Sequence, residues 1–484
     1  MGDFNLTLIL PVVTLAAFGL LALLFAPALK GQARVLGGIS LLGIVVAAAS
    51  AVRLWTLWRV AGPLESAGGM VRVDGFGLYL SLVLLAVGAL TVVASLRFLE
   101  REEADHGEFY PLVLLALAGM LSMVMTSHLI MVLIGLEVFS LSLYVLTGLT
   151  RGRARSVESS LKYFLLGAFS SGFLVYGMAL LYGAAGSLDM RRIGAVAAAA
   201  PSPMMWMGMG LVFIGLAFKI GVVPFHHWIP DVYEGAPTNV AGFMAAATKT
   251  AAFAVLIRFL VGAFAGSQAA WVPLVTWLAI LTMTVANLVA LAQTNIKRLL
   301  AFSSVGHAGY LLIAVVCRPE DGVKAILFYL ASYAFMILGA FTVAAAAGRG
   351  DAHSEPGYDL SSWAGLGWRR KGLGVAMSLF LFSLAGIPPT AGFLGKYVIF
   401  LSAIHSHRYL LAVVGVLNAV VAAYYYLRVV VVLWMREPET DEEPLPVPAS
   451  LAAVLVVAAM GVLYLGIAPG RLLDLLGGLT SGLI

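Results

Sequence analysis

The sequence predicts an all-α polytopic membrane protein with about fourteen transmembrane helices. Three observations carry that prediction. Of the 484 residues, 61% are hydrophobic and only 11% charged, where a soluble domain carries about a quarter charged residues. Apolar runs long enough to cross a bilayer, ~20 residues each, follow one another almost end to end. The runs are continuous and do not alternate in period two, which excludes a transmembrane β-barrel. The 52 glycines fit the same class, because small residues let helices approach closely in lipid.

In chain order the spanning runs fall at 5–27, 34–57, 76–98, 109–126, 129–149, 158–183, 205–230, 238–264, 271–293, 298–316, 324–347, 373–403, 409–434 and 449–468. The seventh is interrupted at Val223-Pro224 and the twelfth at Ile387-Pro388-Pro389. Proline removes a backbone donor and clashes with the preceding turn, so both spans should kink or unwind at mid-depth. Unwound backbone at that depth survives only where it is buried in protein or lines a wet cavity. Spans four to eight contain one broken member in fourth place, and spans nine to thirteen repeat the pattern. Five is odd, so the two units have opposite topology, the inverted-repeat arrangement of transporters. The chain thus divides into spans one to three (1–108), a first repeat (109–264), a second inverted repeat (271–436) and a last section (437–484). That last section holds an acidic, proline-rich loop, REPETDEEPLPVP, the fourteenth span and an interfacial tail.

Charge and cysteine content narrow the function. The net charge of +5 is spread over loops and reflects orientation in the membrane, not nucleic-acid binding. RGRAR at 151–155 and WRRK at 368–371 give the strongest cytoplasmic signals, which puts both termini on the opposite, periplasmic side. The N-terminal MGDFNLTLIL has no basic region and reads as the start of an uncleaved first helix. With Cys317 as the one cysteine, the chain can hold neither a four-thiolate iron–sulfur cluster nor an internal disulfide. No G-x-G-x-x-G loop or H-E-x-x-H site is present, and GFLGKY lacks the first glycine and the Ser/Thr of a P-loop.

The informative residues are charges inside spans. Glu137 sits in HLIMVLIGLEVFSLSLYVL, Lys219 one turn before the Pro224 break, Lys249 near the middle of the eighth span, and Lys396 just past the double proline. Each costs at least ~2.5–3.5 kcal/mol at mid-bilayer. A lysine near a helix end can thread its amine to the headgroups, and Lys162 at the start of the sixth span fits that alternative as well as a functional one. Lys219, Lys249 and Lys396 have about ten or more apolar residues on each side, too many to snorkel past. Arg258 and Arg428 read as lying nearer the interface. Burial disfavours the charged form of any such group, and a neighbouring opposite charge restores it. At an effective dielectric near 20 and ~4 Å that neighbour is worth ~4 kcal/mol, enough to load or empty an amine. A Glu137–Lys219 pair would then be a switchable proton site. His226 and His227 beside the first break, and His307 on the tenth span, can hand protons on through their two ring nitrogens. His106, His128, His353, His405 and His407 fall in loops or at helix ends.

The stretch AFKIGVVPFHHWIPDVYEGAPTNVAGFMAAATKTAAFA at 217–254 resembles the antiporter-like membrane subunits of respiratory complex I, the NADH–quinone oxidoreductase. SLKYFLLGAFSSGFLVYGMALLYG, NIKRLLAFSSVGHAGY, LAGIPPTAGFLGKY and YYYLRVVVVLW support the same placement. Among these subunits the N type is most similar: the M type carries glutamate where Lys396 stands, and the L type has a C-terminal extension for which this chain has no room. The resemblance implies that Glu137 and Lys219 form an input pair, Lys249 a central relay and Lys396 the output. It implies supporting roles for His226, His307 and Lys162; His227 is less matched, since methionine often follows the first histidine. It implies a proton-translocating subunit in a bacterial inner membrane, next to other membrane subunits. FMN, iron–sulfur clusters and quinone are expected in those partners, and no cofactor or metal in this chain. Subunits of multisubunit cation/proton antiporters and of membrane-bound hydrogenases share the broken helices and buried lysines, and stand as alternatives.

Overall fold

Apolar runs in this chain become helices because backbone groups in lipid find partners only within their own segment. The computed structural model describes residues 5–29, 32–96, 107–348, 357–438, 446–480 and 483. His106, His353 and part of the acidic 436–448 loop lie outside the described residues. Among those described, 12 helices are long and apolar enough to cross a membrane. The short Phe109–Val124 and the pair Lys371–Ala385 and Ala391–His405 complete the series.

The helices are α1 (Leu10–Phe25), α2 (Ala33–Ala61), α3 (Gly75–Ser95), α4 (Phe109–Val124), α5 (Leu129–Thr147) and α6 (Ala154–Ala185). A short connecting helix, α7 (Met190–Ala199), precedes α8 (Pro203–Ile220) and α9 (Trp228–Gly235), the two halves of the first broken span. Next come α10 (Thr238–Ala263), α11 (Gln268–Leu291), α12 (Ile296–Val315) and α13 (Pro319–Ala347). The single-turn α14 (Leu366–Arg369) leads to α15 (Lys371–Ala385) and α16 (Ala391–His405), the halves of the second broken span. The last are α17 (Tyr409–Met435), α18 (Ala449–Ile467) and the short α19 (Gly470–Gly477). A small antiparallel hairpin between α2 and α3, β1 (Leu64–Ser66) with β2 (Val71–Val73), pairs Glu65 with Arg72. Nothing in the apolar pattern announced it.

Burial sorts the helices. α10, α12 and α13 are buried along nearly all of their lengths. α1, α2, α6, α11, α17 and α18 keep one apolar face outward, as lipid-facing helices do. The central three are therefore where ionisable groups can sit away from hydrocarbon.

Both breaks are built alike. α8 ends at Gly221, in the left-handed region with φ 83°. The Gly221 N–H donates to Phe218 and Ala217, and the Val222 N–H donates to Ala217. α15 ends at Gly386, φ 91°, where Gly386 donates to Ser383 and Phe382 and Ile387 donates to Phe382. Each is a Schellman ending with glycine at the position no other residue adopts cheaply. Cis Val223-Pro224 and Pro388-Pro389 follow, and a new half-helix begins.

A second correspondence ties the halves together. Leu129 N–H donates to Leu188 and Met190 N–H to Ser127; Ile296 N–H donates to Tyr358 and Leu360 N–H to Thr294. The start of α5 is thus pinned to the segment that follows α6, as the start of α12 is pinned to the segment 358–360 between α13 and α14. Matched tethers and matched breaks support the two-unit reading of the sequence. Arg258, read as nearer the interface, lies five residues before the end of α10 and is 0% exposed; Asp74 at the start of α3 reaches it with both carboxylate oxygens at 2.8 Å.

Candidate functional site

The site follows from which helices the ionisable residues ride on. Glu137 is on α5, and its Oε1 accepts a 2.6 Å hydrogen bond from Ser171 of α6. Glu137 is half-buried, at the edge of the chain. Lys219, in the last turn of α8, is 2% exposed and donates to Ser140 Oγ at 2.8 Å. Ser140 gives its own proton to Leu136 O, so it can only accept from the amine. The rings of Phe139, Tyr144, Tyr163 and Phe218 surround that amine, each 5.2–5.8 Å from it, and aromatic faces favour a cation. Glu137 and Lys219 are therefore neighbours without touching.

Lys249 is 1% exposed and follows a π turn at Met244–Thr248 in α10. π turns inside helices often mark functional positions. Its amine donates to Ser304 Oγ of α12 at 2.6 Å. Lys396, on α16 and 4% exposed, donates to the Leu384 and Ala385 carbonyls at 2.8 and 2.9 Å. Those are end carbonyls of α15, left without intrahelical partners and at the negative pole of the helix dipole. Tyr310 of α12 presents its ring 4.9 Å from the same amine.

α12 carries the middle of the site. Ser303, Ser304, His307 and Tyr310 recur at three- and four-residue intervals, which puts them on one helix face, and all four are buried. Counted from the matched tether residues Leu129 and Ile296, Glu137 and Ser304 fall at the same register, and so do Ser140 and His307. The two lysines use different members of this set: Lys219 donates to Ser140 in the first repeat and Lys249 to Ser304, the register mate of Glu137, in the second. His307 Nδ1 lies 2.5 Å from the Tyr329 hydroxyl and Nε2 3.1 Å from that of Tyr426. His226, just past the first break, is buried, with Nδ1 unpartnered among the described residues. Its ring meets His227, 4.6 Å away, and Phe302 of α12.

Lys162 stands apart. Its side chain is 43% exposed and pairs with Glu158 at 2.6 Å and Asp231 at 2.8 Å. With Arg155, Glu234 and Arg298 these residues line a polar cleft of about 220 Å³, separate from the buried row. His128 caps the start of α5, and His405 lies by Asp321 at a helix end.

The comparisons with known proteins identify the family. The family described as NADH:quinone oxidoreductase/Mrp antiporter, TM, matches residues 126–422, which include both breaks and every residue of the row. NADH-quinone oxidoreductase subunit N of Trichlorobacter lovleyi is 43% identical over 477 residues, covering 97% of this chain and 96% of the relative. The chain belongs to the subunit N family of NADH-quinone oxidoreductase. A chain in respiratory complex I from Thermus thermophilus with bound aureothin superposes with a TM-score of 0.79 at 36% identity, covering 96% of this chain and 98% of that one. A chain of the Mrp complex from Dietzia, 23% identical, gives a TM-score of 0.83 over 98% of this chain and 97% of that one; at that identity the likeness speaks for the fold alone.

In this member of the subunit N family, several polar residues escaped the sequence reading. Lys297, 2% exposed, donates to the Glu234 and Ala236 carbonyls at 2.7 and 2.6 Å and so fixes the end of α9. It looked like a loop charge because it falls one residue before an apolar run. Tyr329, Tyr333 and Tyr426 enclose His307, yet each is an ordinary aromatic in an apolar helix. Their spacing against His307 spans three helices and leaves no local signal. Arg258 and Asp74 are 184 residues apart in sequence, beyond any pattern.

Proposed function

We propose that this chain moves protons across the membrane along Glu137, Lys219, Lys249 and Lys396, with His307 and His226 assisting, driven by redox chemistry in neighbouring subunits of NADH-quinone oxidoreductase. One observation carries the reading. Lys219, Lys249 and Lys396 are each at least 96% buried, and each donates to a hydroxyl or a carbonyl. Among the described residues, none has a carboxylate within 4.0 Å. A lysine kept for stability would have a fixed counter-ion, as Arg258 has in Asp74. An amine held only by neutral acceptors and aromatic rings has no fixed opposite charge to settle its protonation state. A charge arriving nearby then decides which form prevails.

Glu137 supplies that charge at one end. It is held by Ser171 on α6 while Lys219 is held by Ser140, so the pair is apart in this arrangement. Approach of the carboxylate would favour the charged lysine by ~4 kcal/mol at ~4 Å; withdrawal would release the proton toward Lys249. Glu137 is half-buried on a face where Ile134, Leu141, Leu165 and Phe169 are exposed. A carboxylate does not face hydrocarbon, so this face suits an adjoining membrane subunit that delivers the signal. FMN, iron–sulfur clusters and quinone belong to those partners in this reading. The membrane is the bacterial plasma membrane, with both termini on the periplasmic side.

The test is proton uptake against NADH oxidation in vesicles containing the purified complex. Loss of pumping in Lys249→Ala with the complex assembled supports the relay. Wild-type pumping in that variant overturns it. Sodium-driven proton exchange without NADH would instead assign the chain to an antiporter.

A further inference from the structure

We propose that an anionic phospholipid seats an acyl chain in the apolar slot between α2, α3, α13 and α19, with its phosphate held by Arg59 and Arg471. The site lies outside the buried row and shares no residue with it.

The slot suits hydrocarbon. It is a cavity of about 490 Å³ walled by Trp55 of α2, Tyr79 and Leu90 of α3, Leu338 of α13, and Leu472 and Leu475 of α19. The Tyr79 hydroxyl donates to Leu327 O at 3.3 Å, which leaves the walls almost wholly carbon. Apolar cavities stay dry, and lining atoms without a neighbour forfeit their dispersion contacts. The depth is that of one leaflet: Tyr79 to Leu90 spans ~16 Å at ~1.5 Å per residue, about half of the ~30 Å hydrocarbon core. α19 roofs the slot. Its Leu472 and Leu475 face inward while Arg471 and Asp474 are exposed, the pattern of a helix lying in the membrane interface. Trp55 meets Trp58 edge-on at 5.4 Å, and paired indoles are at home at headgroup level.

The charges at the mouth select the headgroup. Val52 and Trp55 line the slot, and Arg59 continues their stripe one turn nearer the end of α2. On α19, Arg471 adjoins Leu472 and precedes Leu475 by one turn. Both arginines are exposed, and among the described residues neither has a carboxylate or a carbonyl as partner. Arginines in or beside spans ordinarily have one. The one carboxylate on α19, Asp474, leaves the cations in excess. A guanidinium takes a phosphate through two parallel N–H···O bonds, so a lipid with a net negative headgroup supplies what both arginines lack while its chain fills the slot below them.

The test uses the purified complex in vesicles doped with phosphatidylglycerol carrying a photoactivatable group near the end of one acyl chain, or with phosphatidylcholine carrying the same chain. After irradiation, mass spectrometry locates the labelled residues. The phosphatidylglycerol probe is expected to mark 79–90 and 331–338 about tenfold more than the phosphatidylcholine probe, the preference two arginines give near anionic lipid. Arg59→Gln combined with Arg471→Gln should abolish that preference. Arg53→Gln, which removes an exposed arginine off the slot face of α2, should keep it. Equal labelling by the two probes, or an equal loss in Arg53→Gln, would reduce the effect to general surface charge and overturn the site. Label elsewhere on the chain but none in the slot would mean that a neighbouring subunit fills it, and would overturn the site too. If the double arginine variant fails to assemble, Ala86→Phe places a ring in the slot and leaves the charges alone. Slot labelling should then fall to background, and unchanged labelling would overturn the proposal.

Discussion

Lys219 gives its hydrogen bond to Ser140, not to Glu137, although the serine and the glutamate lie one turn apart on the same helix. The amine is parked on a neutral acceptor within the field of a carboxylate. Ser140 should therefore matter to pumping and little to folding. A hydrogen bond to a charged group is worth ~1.5–3 kcal/mol, about tenfold or more in the proton equilibrium of the lysine. Ser140→Ala is expected to assemble normally and to slow proton uptake about tenfold, whereas Ser140→Thr, which keeps the hydroxyl, should stay near wild type. Glu137→Gln and Lys219→Ala should abolish most pumping in an assembled complex, read by vesicle acidification against NADH oxidation.

Lys396 can be tested by fixing its charge. A guanidinium does not give up its proton in a protein. Lys396→Arg preserves a cation for the α15 carbonyls, so the complex should assemble, yet proton release should fall as far as in Lys396→Ala. If Lys396→Arg pumps normally, the exit lies elsewhere.

Asp74 and Arg258 make the opposite case, a buried cation with its counter-ion in direct contact, Arg72 adding a third partner at 3.0 Å. Arg258 is fully buried and bound by both Asp74 oxygens. Asp74→Asn leaves the guanidinium without its counter-ion, a loss of ~3–5 kcal/mol, and should empty the membrane of assembled complex on native gels. Replacing both with apolar residues of similar size should recover only part of it, because buried Arg72 also loses its 3.0 Å bond to Asp74.

The helix breaks answer to glycine. At Gly221 and Gly386 an alanine must adopt a left-handed conformation costing roughly 1–2 kcal/mol. At Gly221 its Cβ would also run into Ile229 Cδ1, while at Gly386 it would meet the Lys396 side chain, nearest at Cδ, 3.1 Å away. Gly221→Ala should therefore lower the thermal inactivation temperature of the solubilised complex more than Gly386→Ala.

Much of this arrangement was legible because lipid leaves the chain few choices. Prolines at 224, 388 and 389 inside apolar runs forecast the two breaks, and a charge in the same setting singled out Glu137, Lys219, Lys249 and Lys396. What those groups hold was not legible. Ser140, Ser171 and Ser304 are common small residues in helices, and only the folded chain shows which of them faces an amine. The tyrosines around His307 blend into the hydrophobic pattern that makes their helices span at all. The pairing of Arg258 with Asp74 brings the eighth span against the start of the third, a contact no local spacing encodes.

The twin breaks also bear on how force travels. No helical backbone ladder runs through 221–227 or 386–390, so each interrupted span has a mechanical joint between its two halves. Lys396 rides beyond its joint while the carbonyls it grips stay behind on α15. A small tilt of α16, pushed from outside the subunit, would pry the amine from that cradle without unwinding a turn of helix, so motion alone would make it let go.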